Sequence, residues 1–166
     1  MWSSRKIAAC VLAASCAWPG GALGQTDVRV ATWNVQTVGA PASGQYAAAL
    51  AVLNRIGADV VAINEVLDDG DIPNFLSLAA AAGYPNVVVP STNPLGNMRN
   101  GFLSKFAFVG SPIIHTAAEL SGDGSANDIT RLIIEIVVSV PGNAKDLTLV
   151  VEHWKASSGD NNEFRR

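Results

Sequence analysis

Three predicted strands of this sequence each end at a side chain that can bind a metal ion or a phosphate. Apolar segments 28–33, 60–64 and 147–152 lead into Asn34, Glu65 and His153, respectively. In an open α/β sheet, ligands bind beyond the carboxyl ends of the strands, so residues at those ends converge although they are distant in sequence. A carboxylate, an amide and an imidazole at one edge predict a site for a phosphate and a divalent cation.

Each of these residues also has a purely structural interpretation. An asparagine after a strand often only forms a turn, as Asn34 could. Glu65 could be a solvated residue at the start of a helix, and His153 an ordinary histidine at the end of a strand. The repetition of the pattern at three strands favours the functional interpretation. His115, in an apolar run without a matching motif, is predicted to be a core or surface histidine.

The elements that would position these residues begin with a strand, a helix and a second strand. Ser43 is predicted to cap a helix whose apolar face carries Tyr46, Leu50 and Leu53, and Gly57 ends that helix. A strand at 58–64 completes a βαβ unit, whose two strands must be parallel. Asn34 and Glu65 are therefore expected at the same edge of the sheet.

The remaining sequence predicts one more helix and several antiparallel strands. Asp71 is predicted to cap the helix, and residues 90–100 are predicted to form a surface loop. A flexible loop is expected at 121–128 and a hairpin turn at 141–143. The further strands are predicted at 84–89, 102–109, 113–120, 131–140 and 147–152.

The first 24 residues have the features of a secretory signal peptide. Arg5 and Lys6 precede a short apolar run, and small residues at 22–24 suit cleavage before Gln25. The protein is therefore predicted to be secreted or periplasmic, and the run is too short for a membrane anchor. Residues 12–16 resemble a lipobox, but Ala13 departs from it, so lipid anchoring at Cys16 is the weaker alternative.

Charge and cysteine content exclude several classes of protein. Both cysteines lie in the signal segment, so the exported chain can be neither a disulfide scaffold nor a thiolate zinc site. Loss of that segment changes the formal net charge from −3 to −5, because its two charged residues are both basic. An acidic chain lacks the basic face of a tight nucleic-acid binder, although a bound cation could still attract a phosphate substrate.

Four short motifs together resemble the endonuclease/exonuclease/phosphatase superfamily. They occur in the order and approximate spacing of that family, in its secreted bacterial form. The motifs are Val-Ala-Thr-Trp-Asn-Val-Gln at 30–36, Ala-Asp-Val-Val-Ala-Ile-Asn-Glu-Val at 58–66, Thr130-Arg131, and Leu-Val-Val-Glu-His-Trp-Lys-Ala at 149–156.

The resemblance implies a role for four residues. Glu65 corresponds to the carboxylate that binds Mg²⁺ or Mn²⁺, and Asn34 to the amide that helps to hold the metal and the scissile phosphate. Arg131 corresponds to the family's strand-borne arginine near the site. Arg131 could equally be a solvated residue at the edge of a sheet. His153 corresponds to the histidine that hydrogen-bonds a phosphate oxygen as negative charge builds in the transition state.

The family pattern is followed only in part. Asn64 stands where the family usually has glutamine. No further strand that carries the family's Gly-Asp-x-Asn segment is found after the fourth motif, and the family's closing Asp-His pair is absent. The sequence therefore predicts residues 25–166 to be the N-terminal part of a four-layer α/β sandwich, in which helices flank two mixed sheets. This part alone is predicted to be inactive.

The complete protein is predicted to be a secreted, monomeric, metal-dependent phosphoesterase. Its first interpretation is an endonuclease-type phosphodiesterase. A sphingomyelinase-type phosphodiesterase or a phosphatase is the second interpretation. Its substrate would accordingly be nucleic acid, a phospholipid headgroup or a small phosphoester. The rival class is an inactive fragment or a non-enzymatic binding module on the same scaffold.

Overall fold

The computed structural model describes residues 26–91, 98–116 and 132–153, which form two β-sheets and two helices. The predicted signal peptide with Cys16, the predicted loop 121–128, Arg131 and the Trp154-Lys155 pair lie outside these residues. No helix in the described ranges is long and apolar enough to cross a membrane. The elements in chain order are β1 (Val30–Asn34), α1 (Gly44–Ile56), β2 (Val60–Val66), α2 (Asp71–Ala81), β3 (Asn86–Val88), β4 (Arg99–Ser104), β5 (Ile113–His115), β6 (Ile133–Val138) and β7 (Leu147–Val151).

The first sheet contains the predicted βαβ unit. Its strand order is β1-β2-β4-β3, and β1 and β2 are parallel, with Asn34 opposite Asn64. Helix α1 connects these strands and begins where predicted, since the Ser43 hydroxyl accepts a hydrogen bond from the Tyr46 amide at 3.1 Å. It ends at Gly57, whose φ of +58° favours glycine.

The predicted cap of the second helix is wrong. Asp71 is the first residue of α2, and the N-cap, Gly70, makes no side-chain cap. The Asp71 carboxylate turns inward and accepts a hydrogen bond from the buried Val38 amide at 3.0 Å. The Asp68 carboxylate accepts from the Asp71 amide at 3.0 Å. Because Asp71 holds the segment after β1, its side chain is used for tertiary contact instead of capping.

The predicted surface loop 90–100 is also wrong at its C-terminal end, because β4 begins at Arg99. Strand β4 lies between β2 and β3, and all six of its residues are buried. Residues 90–100 are rich in Pro, Asn and Gly, which are typical of loops, and this composition explains the wrong prediction. Glycine serves a different purpose here, because a Cβ at Gly101 would lie 2.6 Å from the Val88 carbonyl oxygen.

In the described residues the second sheet is antiparallel, with strand order β5-β6-β7. Along β6 the side chains alternate, so that Ile134, Ile136 and Val138 are buried and the residues between them are partly exposed. The β6–β7 turn at 141–143 forms as expected, with Gly142 at a φ of +85°.

Two apolar cores separate three layers in the described residues. One core lies between the helices and the first sheet and includes Leu53, Phe75 and Ile63. The other lies between the two sheets and includes Phe102 and Ile136. The order is therefore helices, first sheet and second sheet, which confirms the predicted α/β class with paired sheets.

Candidate functional site

The two sheets meet in a contact between Glu65 and His153. The Nε2 atom of His153 lies 3.3 Å from the Oε1 atom of Glu65, and each side chain is only 16% exposed. Glu65 belongs to the first sheet, and His153 follows β7 of the second. Two residues 88 positions apart in the sequence are thus joined at one edge of the sandwich.

A β-bulge directs Glu65 towards the second sheet. Ile63 and Val66 are both packed in the core beneath the helices. In a regular strand, residues three positions apart would lie on opposite faces. The register shift at the bulge adds one residue to this part of β2, so Ile63 and Val66 lie on the same face. Asn64 and Glu65, which lie between them, therefore share the opposite face, towards the second sheet.

Glu65 itself adopts a strained backbone conformation. Its φ is +67°, in the left-handed region that costs a residue with a Cβ about 1–2 kcal/mol. The sequence placed Glu65 just after a strand, whereas it lies inside β2 at the bulge. Such strain tends to persist at functional sites, where the surrounding structure holds it.

Asn34 lies at the same edge, at the end of β1. The Val35 amide donates a hydrogen bond to the Asn64 carbonyl at 3.0 Å, which extends the β1–β2 pairing beyond Asn34. Val30, at an alternate position of β1, packs between the sheets. Asn34 therefore points to the same face as Asn64 and is exposed there.

Asn100 is a site residue that the sequence reasoning missed. It is 1% exposed, and its Nδ2 atom donates a hydrogen bond to the Leu132 carbonyl at 3.0 Å. Leu132 directly follows Arg131, which lies outside the described residues. Asn100 therefore fixes the entry to β6 against the first sheet.

His115 contacts a different carboxylate, on another face of the second sheet. Its Nε2 atom lies 3.2 Å from the Oε2 atom of Glu135, and both side chains are 27% exposed. Glu135 alternates with the buried residues of β6, so the pair lies on the outer face of the second sheet. The expectation of a structural or surface histidine agrees with this position.

The residues at the edge fit a hydrated divalent cation. Within residues 26–91, 98–116 and 132–153, no three His, Cys, Asp or Glu side chains form a metal-binding group. Mg²⁺, however, commonly uses one or two carboxylates and retains several water ligands. Two buried amide oxygens beside Glu65, Oδ1 of Asn64 and Oδ1 of Asn100, have no hydrogen-bond partner in the described part of the chain. One carboxylate surrounded by unused oxygen acceptors suits such an ion.

Comparison with known proteins gives the family. The sequence model described as "Endonuclease/Exonuclease/phosphatase family" matches residues 31–156, more than half of the chain. The chain belongs to this family. The family predicted from the four motifs is thereby confirmed, and members of the family are hydrolases that act on phosphoesters. No protein with curated annotation matches the chain significantly.

Two solved structures are similar to the chain. One is an endonuclease/exonuclease/phosphatase from Beutenbergia cavernae DSM 12333, with 21% identity, a TM-score of 0.64 and 83% of this chain covered. The chain spans 42% of that protein's length. The other is an endonuclease/exonuclease/phosphatase family protein from Leptotrichia buccalis C-1013-b, with 16% identity, a TM-score of 0.44, and coverage of 75% of this chain and 52% of that one. The first likeness supports the shared fold.

Proposed function

We propose that this chain carries the metal-binding part of a secreted phosphodiesterase of the endonuclease type. The observation that supports the proposal most strongly is the 3.3 Å contact between Glu65 and His153, which joins a carboxylate and an imidazole from separate sheets. Family membership supports a phosphoester substrate and a hydrolytic reaction.

The proposed roles follow from the chemistry of each side chain. Glu65 holds Mg²⁺ or Mn²⁺ through its carboxylate, and the exposed amide of Asn34 orients the scissile phosphate. His153 donates a hydrogen bond to a phosphate oxygen as negative charge develops there. Arg131, which belongs to the third family motif, adds positive charge that attracts the phosphate. A divalent cation held there by Glu65 and Asn34 would supply positive charge to the phosphoryl oxygens and would help a water molecule to lose a proton.

The low exposure of Glu65 and His153 strengthens these interactions. Charges act more strongly where water is largely excluded, and both side chains are 16% exposed. The strained backbone at Glu65 helps to aim its carboxylate before substrate arrives. The site is therefore preorganised for charge that develops on phosphorus-bound oxygens.

A hydrolysis assay of the full-length protein tests this function. We expect cleavage of a phosphodiester bond in DNA or RNA only with Mg²⁺ or Mn²⁺, and a loss of a few powers of ten on Glu65→Ala, because metal charge stabilisation is worth several kcal/mol. Glu135→Ala is the matched control, since Glu135 also contacts a histidine, at 3.2 Å, but on the outer face.

The assay separates the proposal from its rivals. Turnover of sphingomyelin alone would assign the second substrate class. Activity that survives both chelation and Glu65→Ala would contradict the metal-dependent mechanism.

Export is the second part of the proposal. The basic start, the short apolar run and the small residues at 22–24 support signal cleavage before Gln25. Mass spectrometry of secreted protein should find Gln25 at the new N-terminus. A cytosolic product that keeps Met1 would contradict export.

A further inference from the structure

The β-bulge places one strand residue of β4 opposite two residues of β2. Ile63 pairs with Gly101 and Val66 pairs with Arg99, so Asn100 alone faces the Asn64-Glu65 step. Asn64 and Glu65 share the face towards the second sheet. Asn100 shares it too, because its side chain bonds the Leu132 carbonyl at the start of the second sheet.

The orientation of the Asn100 amide is fixed by that bond. A carbonyl oxygen can accept but cannot donate, so the group 3.0 Å from the Leu132 oxygen must be the NH₂ of Asn100. The Oδ1 atom of Asn100 is consequently left as an acceptor. It is buried, as is the Oδ1 atom of Asn64, and neither has a hydrogen-bond partner in the described part of the chain.

Two such acceptors in one bulge are costly unless something donates to them. Leaving a buried acceptor unsatisfied costs about 1–3 kcal/mol, and native structures contain few such groups. The donor groups must also be small, because the residues before and after Asn100 in β4 are buried and leave little room. Water molecules meet both requirements.

We propose that Asn64 and Asn100 accept hydrogen bonds from water ligands of the divalent cation at Glu65. This inference rests on the proposed metal-dependent function and assigns two positioning residues to it. Mg²⁺ and Mn²⁺ favour oxygen ligands, and Mg²⁺ keeps several waters whose protons need acceptors. Neutral amide oxygens supply those acceptors without adding charge beside the single carboxylate. Such outer partners typically change metal affinity about 10- to 100-fold when they are removed.

Two measurements on the full-length protein test the inference. Electron paramagnetic resonance gives the Mn²⁺ affinity in a titration, and thermal unfolding without metal gives the Tm. Asn64→Leu should weaken Mn²⁺ binding about 10- to 100-fold. Its metal-free Tm should stay unchanged or rise, because an apolar group replaces an unsatisfied acceptor. Asn64→Gln, which restores an amide oxygen and the family's usual residue, should recover part of the affinity.

Asn100→Leu should lower both the Mn²⁺ affinity and the metal-free Tm, because it also loses the bond to the Leu132 carbonyl. Asn86→Leu is the control for Asn100→Leu. The Asn86 amide donates a hydrogen bond to the Ser104 carbonyl at 3.4 Å, and Ser104 lies in β4 four residues after Asn100, away from Glu65. This control should affect Tm without changing the Mn²⁺ affinity.

The outcomes distinguish this inference from the proposed function. Wild-type Mn²⁺ affinity in Asn64→Leu, while Glu65→Ala abolishes binding, would overturn the inference alone. The inference would also be overturned if Asn64→Leu lowered the Mn²⁺ affinity together with a large loss of metal-free Tm, and Asn64→Gln recovered none of that affinity. Mn²⁺ binding that is absent from the parent, or unaffected by Glu65→Ala, would contradict the proposed metal site itself.

Discussion

Glu65 combines a strained backbone with a side-chain contact to the other sheet. Its backbone lies in the left-handed region at a φ of +67°, and its carboxylate contacts His153 of the other sheet. A residue with a Cβ pays for that conformation in stability, and a bulge in β2 maintains it. The conformation and the contact together place a charged group where both sheets end.

The strain can be measured by comparing two variants that both remove the carboxylate. Glu65→Gly should be more stable than Glu65→Ala by about 1 kcal/mol, because only glycine adopts a positive φ without a steric cost. Urea unfolding of the full-length protein measures the difference. Equal stabilities, or a more stable alanine variant, would show that the backbone at Glu65 is unstrained.

At the scale of elements, Asp71 connects α2 to the segment that follows Asn34. Its carboxylate accepts a hydrogen bond from the Val38 amide at 3.0 Å, and Val38 is fully buried. Asp71→Ala should destabilise the protein by about 1–3 kcal/mol, because it leaves a buried amide without its acceptor. Asp71→Asn, which keeps an oxygen acceptor, should lose less.

Chemical denaturation of both variants checks this prediction, with Asp146→Ala as a control, because the Asp146 side chain is exposed. An Asp71→Ala variant as stable as the parent would contradict the role of Asp71 in fixing the β1–α1 connection.

Tyr84 connects the end of α2 to the start of β2. Its hydroxyl donates a hydrogen bond to the Ala58 carbonyl at 2.9 Å. Burial, with a further contribution from the Asp59 carboxylate, raises the pKa of the Tyr84 phenol above its ordinary value of 10.0. The folded protein therefore holds the phenol proton more tightly than the unfolded chain does. Its contribution to stability is complete below pH about 10 and is lost as the pH rises through the folded pKa.

Tyr84→Phe should accordingly be less stable than the parent at neutral pH, and the difference should narrow above pH about 10. Urea unfolding across that range measures it. Tyr46→Phe, which changes the other tyrosine, should keep the alkaline loss of stability. A difference between parent and Tyr84→Phe that stays constant at high pH would contradict the prediction.

The elements that sequence patterns predicted well are those with local signals. Ser43, Gly57 and the apolar spacing of Tyr46 and Leu53 define α1, and β6 shows the alternation typical of a half-buried strand. The first half of β4 lacks such a signal, because a polar residue there, Asn100, bonds a partner distant in sequence, the Leu132 carbonyl. Asn100 was missed for that reason.

The bulge at Glu65 was not predicted by any sequence pattern either. The sequence placed Asn34, Glu65 and His153 at strand ends, and the structure brings Asn34 and Glu65 to one edge and Glu65 into contact with His153. Which face Glu65 takes depends on the register between β2 and β4, a tertiary property. The catalytic and metal-binding roles of these residues remain predictions.

At the scale of the whole molecule, the outer face of the second sheet carries exposed apolar side chains. Ile113 is 49% exposed and Val150 is 55% exposed. Residues 25–166 expressed alone should therefore aggregate or melt broadly, and should hydrolyse neither DNA, RNA nor sphingomyelin. Calorimetry, light scattering and the hydrolysis assay test this. A monomer with a sharp melt and metal-dependent turnover would show that these residues form a complete enzyme.

The central claim is that Glu65 and His153, from separate sheets, act in one metal-dependent phosphodiesterase site. A double-mutant cycle on kcat/KM of the full-length protein, with Glu65→Gln, His153→Gln and both together, tests it most directly. Residues that act as one unit lose less together than the sum of their separate losses. We expect each single variant to lose about 10²–10⁴-fold, the range for one positioned donor or metal ligand, and the double variant to lose little more than the worse single one. Strictly additive losses, or single variants as active as the parent, would contradict the claim.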